Sequence, residues 1–320
     1  MDKVKIIVCA HKKCEMPSDS MYLPLHVGAE GKKNPDGSPM DFGSGWQKDN
    51  TGENISDLNP YFCELTGLYW AWKNLHADYI GLVHYRRVFA GKYADLKDIA
   101  GSAISYQEFE PLLDQYHVFV PKKRLYLIET LESHYAHTHG EEHLKICREI
   151  VNKRSPEYLK TYDKVLKRRW GYMFNMMILP EEFLDEYCSW LFDILFPLFK
   201  QIGHKGLSAF DSRYCGRVSE ILFNVWLEQA VVDHEIKKEE IKEMKYIEDV
   251  DWMQKINHFL AAKFLKRNYR GSVERSQKQI PIDKGGVLES CFIQAVAVDA
   301  VFPDSFLLIT ARGKVWKAVA

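Results

Sequence analysis

The apolar run Asp78-Tyr79-Ile80-Gly81-Leu82-Val83 passes directly into His84-Tyr85-Arg86-Arg87, and this junction constrains the fold more than any other stretch. A run of about five β-prone apolar residues bounded by polar ones reads as a buried, parallel strand. In open α/β sheets ligands collect outside the carboxyl ends of the strands. An imidazole, a phenol and two guanidinium groups at such an end therefore mark a site. If the extended conformation persists to Phe89, His84 and Arg86 share one face while Tyr85 and Arg87 share the other. Adjacent arginines repel unless an anion joins them, and the planar guanidinium fork fits phosphate oxygens. The functional reading is a diphosphate or sugar-phosphate site; the structural one is an internal ion pair with carboxylates.

The pattern recurs. Lys3–Ala10 reads as a first strand ending in His11-Lys12-Lys13, and Tyr116–Pro121 as another ending in Lys122-Lys123-Arg124. The long stretch between Lys13 and Asp49 is rich in Gly, Pro, Asp and Asn, the composition of a lid or a disordered excursion, with hinge freedom at Gly43-Ser44-Gly45. Asp49 to Ser56 is dense in side chains that suit a nucleobase or ribose. It suits equally a capped turn with Asn59 as N-cap and Pro60 at the first helical position. Apolar residues from Tyr61 to Asn74 recur at helical spacing, and Glu64 in that first turn complements the helix dipole, a structural role.

Four histidines, His134, His137, His139 and His143, follow the third basic cluster. His139 and His143 would be i, i+4 on a helix, as in zinc sites, but Gly140 interrupts it and no Cys or Asp completes a ligand set. Hydrogen bonding to a substrate and solvated or core positions are the other readings. His143–Lys153 and Glu157–Arg168 are amphipathic helices, and Lys167-Arg168-Arg169 suits a helix C-terminus. Gly171–Pro180 reads as an apolar strand interrupted by Asn175, whose polar atoms need partners. Glu181–Lys200 is a long aromatic helix. Arg217–Leu227 is a buried one carrying Glu220, either a carboxylate of raised pKa suited to a general base or the i+3 partner of Arg217. Val231–Met244 reads as an exposed charged connector. Asp249-Val250-Asp251 follows it and lacks the buried strand that a catalytic D-x-D needs. Lys255–Arg270 suits either an anionic membrane surface or a docked terminal helix. Beyond Gly271 the β-like runs Ala295–Val298 and Phe306–Ile309 read as a small appended unit, an edge hairpin or a sequence acquired outside the main fold.

Composition narrows the function classes. A net charge of −1 over 320 residues gives no overall nucleic-acid signature, so any anion site is local. Seven cysteines without a C-x-x-C pair suggest reduced thiols in a cytosolic setting. The run Val4–Ala10 reads as too short and wrongly flanked for a signal peptide, and no apolar stretch reaches transmembrane length.

Asp49–Ser56, Glu64–Asn74, Gly81–Arg87, His134–His139, Phe174-Asn175-Met176 and Val218-Ser219-Glu220, in this order, resemble the bacterial capsular and exopolysaccharide glycosyltransferases once catalogued only as a domain of unknown function. The resemblance spans Lys3 to Arg270, giving a domain of residues 1–270 and a tail of 271–320. It implies an α/β, GT-A-like fold: a mixed central sheet flanked by helices, with a helical C-terminal part. It implies transfer from a UDP-sugar, in some members UDP-galactofuranose, to a polysaccharide or lipid-linked glycan. The reduced thiols and the N-terminal run lead to the expectation of a cytoplasmic protein, the Lys255–Arg270 segment to that of contact with the inner face of the plasma membrane, and the net charge to that of no nucleic-acid partner. Where GT-A enzymes carry a metal-holding D-x-D, this chain reads His84-Tyr85-Arg86, so the expectation is metal-independent transfer without a cofactor. The resemblance assigns the donor to Ala10, His11, Lys12, Asp49, Asn50, Asn54, His84, Tyr85, Arg86 and Arg87. It assigns the acceptor to His134, His137, His139, Arg169, Asn175 and Ser219. Glu220 becomes the base of an inverting reaction, with His84 beside it. The rival reading is a non-catalytic sugar-phosphate-binding or assembly protein; a third is a metal-dependent hydrolase built on the histidines.

Overall fold

The computed structural model describes residues 2–126 and 128–249, together with three strands between 294 and 319. The chain divides into two compact units, Met1–Ile247 and Glu248–Ala320. In the first, β1 (Asp2–Ala10), β2 (Tyr22–His26) and β3 (Gln47–Lys48) precede α1 (Asn59–Phe62) and α2 (Leu65–Asn74). Next come β4 (Ala77–His84), β5 (Arg87–Phe89), α3 (Tyr106–Phe109), β6 (Val118–Pro121) and β7 (Arg124–Leu125). Three helices follow, α4 (Leu131–His139), α5 (Glu142–Arg154) and α6 (Leu159–Leu166), then β8 (Trp170–Gly171) and β9 (Met177–Pro180). Helices α7 (Glu181–Ile202) and α8 (Tyr214–Val232) lead to β10 (Ile241–Met244) and β11 (Tyr246–Glu248).

The central sheet runs β10-β6-β9-β4-β1-β2-β3, with β5 joining β4 and β11 at its rim. β1 pairs in parallel with β2 and β4, while β9 lies antiparallel between β4 and β6. Alternation along β1 divides its side chains between two cores. Ile7 and Cys9 join the larger, with the helical α2, α7 and α8; Val4, Ile6 and Val8 join the smaller, with Phe89, Phe109 and Phe119. Each such aliphatic side chain contributes about 1.5–3 kcal/mol by leaving water, which fixes this strand at the centre. Gly81 lets β4 and β9 approach: a Cβ there would stand 2.7 Å from Ile178 and 3.0 Å from the Met177 carbonyl.

Several expected elements differ. The strand through Phe89 breaks, because Tyr85 and Arg86 form a tight turn that pairs His84 with Arg87 antiparallel. The expected sharing of faces beyond His84 is thereby lost. The Gly- and Pro-rich stretch between Lys13 and Asp49 contains β2 and β3, two strands of the sheet, so it is not a structureless lid. The helix expected at Tyr61–Asn74 is divided at Cys63, whose φ is 55°. Leu58 occupies the N-cap position of α1, one residue before Asn59. The apolar run before Pro180 becomes a strand only from Met177, because Phe174 and Asn175 adopt left-handed φ of 76° and 52°. The charged connector after Val231 contains the edge strand β10, parallel to β6. Val250 and Asp251 of the D-x-D, the Lys255–Arg270 segment and the expected break at Gly271 lie outside the described residues. In the second unit, β12 (Gln294–Ala297), β13 (Ser305–Ile309) and β14 (Val315–Val319) form an antiparallel sheet in that order. Among the described residues no helix is long and apolar enough to cross a membrane.

Candidate functional site

The carboxyl ends of β1 and β4 lie side by side, with the Tyr85 amide donating to the Cys9 carbonyl at 3.2 Å. The turn after His84 leaves Arg86 exposed, with its guanidinium 5.0 Å from the centre of the Tyr85 ring. Lys12 stands 5.5 Å from the same ring and His11 meets it edge-on at 5.4 Å. Lys32 is brought in from the loop after β2, its ammonium donating to the Val27 carbonyl at 3.1 Å. Arg213, at the start of α8, donates to the Cys63 sulfur at 3.1 Å. Lys12, Lys32, Arg86 and Arg213 form no ion pair among the described residues. The His11 imidazole is held below its usual pKa by lost solvation and then by Lys32, Arg86, Lys12 and Arg213. This rim is a concentration of positive charge.

Arg87 turns the other way. Its guanidinium lies 3.8 Å from the centre of the Phe174 ring while that of Arg86 lies against Tyr85, so the two adjacent arginines pack on different rings. His84 marks the boundary: its Nε2–H donates to the Phe174 carbonyl at 2.6 Å, and burial, with Arg87 adding, lowers its pKa and keeps it neutral. The left-handed Phe174-Asn175 segment is held by a buried network. Asn175 donates to Glu64 Oε1 at 2.7 Å and to the Gly216 carbonyl at 2.9 Å, and accepts from Ser219 Oγ at 2.9 Å. Such bonds hold a backbone conformation that would otherwise cost about 1–3 kcal/mol.

That segment presents the Phe174 amide to the carboxylate of Glu220 on α8. Burial first, and the Glu64 carboxylate second, push Glu220 up to about 7, against the Phe174 amide, Arg124 and Arg87, which lower it. Glu220 lines a cavity of about 220 Å³ with Arg124, Arg217, His134, His139 and Tyr126. The alternative partner of Glu220, Arg217, does not form that ion pair among the described residues; its guanidinium lies 4.0 Å from the centre of the Phe210 ring.

The remaining expected residues are distributed differently. Asp49 is fully buried, and both of its oxygens are occupied by the amides of Gly28 and Ala29 and the hydroxyls of Ser56 and Thr66. It clamps the loop after β2 and does not face the crevice. Asn54 closes a local turn onto Gly52 and Ser56, and Asn50 reaches Glu30. Ala10 contributes its carbonyl to the Val27 amide. His134 and His137 both contact the Glu129 carboxylate, at 2.8 and 2.7 Å, and Gly140, with φ 88°, separates His139 from His143. Among the described residues no three His, Cys, Asp or Glu side chains converge as a metal site requires. Arg169 is exposed, its carbonyl accepting from Tyr126. Asn175 and Ser219 brace the site from behind and do not line the cavity. Glu64 was given only a dipole role by its position, yet its charge acts on both His84 and Glu220. An acidic residue at the head of an otherwise apolar helix was the one signal available. Lys32 and Arg213 were also missed, because a turn-rich loop and a helix start carry them to the rim from distant parts of the chain.

No curated protein matches the chain. Among solved structures, the apo form of WbbM, a bifunctional glycosyltransferase, is similar at 27% identity and a TM-score of 0.66. The likeness covers 77% of this chain and 45% of that one, so this chain spans less than half the length of the protein it matches. With the mixed sheet flanked by helices, that likeness makes the fold GT-A-like. A family model matches residues 5–231, more than half of the sequence, and the chain accordingly belongs to the family described as Domain of unknown function (DUF4422).

Proposed function

We propose that this protein is an inverting glycosyltransferase that moves a sugar from a UDP-sugar to a glycan acceptor. The observation that carries the reading is Glu220: a carboxyl group held at about 7 in a cavity next to a rim of cations that form no ion pair among the described residues. A group of that pKa is half deprotonated at neutral pH and still basic enough to take a hydroxyl proton as bonding changes. The acceptor oxygen attacks the anomeric carbon and its proton passes to Glu220. The bond from that carbon to the diphosphate breaks, and UDP leaves with the electron pair. Lys12, Lys32, Arg86 and Arg213 offset the charge that develops on the leaving diphosphate, and the neutral His11 imidazole can donate a hydrogen bond to it. This is the task that carboxylate-bound metal performs in D-x-D transferases, so transfer here proceeds without a divalent ion. His84 is a positioning residue, since it holds the Phe174 peptide whose amide faces Glu220.

The resemblance to capsular and exopolysaccharide enzymes, and the bifunctional glycosyltransferase similar in structure, support the glycosyl-transfer class. The family resemblance alone, in which some members use UDP-galactofuranose, makes galactofuranose the first donor to test and a polysaccharide or lipid-linked glycan the acceptor class. The test is UDP release from UDP-galactofuranose and a panel of UDP-sugars, with and without chelator. Turnover that survives chelator and disappears in Glu220→Gln, with UDP binding retained, is the expected result. Binding of UDP-sugars with no release under any condition would establish the non-catalytic rival.

A further inference from the structure

The cavity beside Glu220 holds more positive charge than the transfer step uses. Two guanidinium groups, Arg124 and Arg217, line it against the single carboxylate of Glu220, while His134 and His139 line it as imidazoles that burial holds below their usual pKa. Arg217 Nη1 is buried without a hydrogen-bond partner among the described residues, and so is His139 Nδ1. Leaving a buried polar group unsatisfied costs about 1–3 kcal/mol, more for a charged one, and such exceptions concentrate where something binds. Phe210 holds both side chains in place, with its ring centre 4.0 Å from the Arg217 guanidinium and 5.6 Å from the His139 ring. Ring contacts fix their positions but occupy none of these polar atoms. Neither Arg124 nor Arg217 forms an ion pair among the described residues.

We infer that this cavity binds an oxyanion carried by the acceptor, the carboxylate of an acidic sugar or a phosphate ester, with Arg217 and Arg124 as its principal ligands and His139 adding a hydrogen bond. The planar guanidinium fork matches either group. The word acceptor rests on the glycosyl-transfer reading; the anion site itself rests on the unpartnered groups around the cavity. The donor diphosphate has its own cations at the β1 and β4 rim, so the two anions do not compete.

The test titrates the full chain with glucuronic acid, glucose 1-phosphate and glucose, following the imidazole NMR resonances of His134 and His139. Both or either of the anionic sugars should shift them and glucose should not; the tighter of the two identifies carboxylate or phosphate. Arg217→Gln should weaken the anionic sugar by about tenfold or more while UDP affinity stays within twofold, and Arg124→Gln provides a second variant if the first fails to fold. Equal binding of glucose, no response to either anionic sugar, or an equal loss of UDP affinity in Arg217→Gln would overturn the inference. UDP-sugar turnover that fails while anion binding persists counts against the transfer reading alone.

Discussion

The rim at the ends of β1 and β4 and the cavity along α8 both collect cations, and what separates them is solvent. At the rim Lys12 and Arg86 are exposed, so each charge is inexpensive to maintain and its attraction is screened by salt. Along α8 the Glu220 carboxyl has lost solvation and faces the Glu64 carboxylate, and its pKa rises. The rim works by the number of its charges. The cavity works by the environment of one group, which suits binding and release at the first and proton transfer at the second.

The largest expected effect breaks the comparison most directly. Glu220→Gln should lower turnover by about 10²–10⁴-fold with UDP affinity unchanged, measured by UDP release and calorimetry. Normal turnover would mean that the cavity is not where the proton moves. Next in size is Asp49→Ala, which leaves the buried amides of Gly28 and Ala29 and two hydroxyls without their acceptor. It should cost about 3 kcal/mol of stability in urea unfolding, and it should weaken UDP binding because that loop carries Lys32. Retained UDP affinity in a destabilised protein would detach Lys32 from the rim.

How far these two regions could be read from sequence follows the same division. The strand of Asp2–Ala10 and the apolar run of β4 are legible because continuous β-prone residues admit little else, and a basic cluster at a strand end is visible as such. Glu220 stood out as an acid on an apolar helix. What was not legible is where the backbone departs from regular geometry. Nothing in Gly171–Pro180 announces that Phe174 and Asn175 turn left-handed, since that conformation is maintained by Glu64, Gly216 and Ser219 from other elements. Nor does Arg86-Arg87 reveal a turn that sends the two side chains to different rings. Asp49 looked like a ligand because its segment is polar; its burial depends on Ser56 and Thr66 closing over it.

The pH dependence of stability sharpens the contrast. Glu220 moves from the ordinary 4.5 to about 7 on folding, so the folded state favours its protonated form. Its contribution is full below the unfolded value and is lost as pH rises through about 7. Wild type and Glu220→Gln should therefore be similarly stable at pH 4, with the variant gaining as pH rises to 8. The gain is at most about 3 kcal/mol, and less because the carboxyl meets the cavity's solvent. Melting temperatures across that range check it, and a difference that does not change with pH would remove the buried-acid account.

The smallest effect belongs to the rim. Arg86 is one exposed cation among several, so Arg86→Ala should weaken UDP by about tenfold at low salt and leave the turnover of bound substrate nearly unchanged. Because the attraction is screened, the difference between wild type and variant should shrink as ionic strength rises from well below to well above 0.1 M, where the Debye length is about 10 Å. Isothermal titration with UDP at several salt concentrations reads both. If Arg86→Ala instead reduces turnover without altering UDP affinity, Arg86 acts on the reacting bond, and exposure no longer distinguishes the binding rim from the chemical cavity.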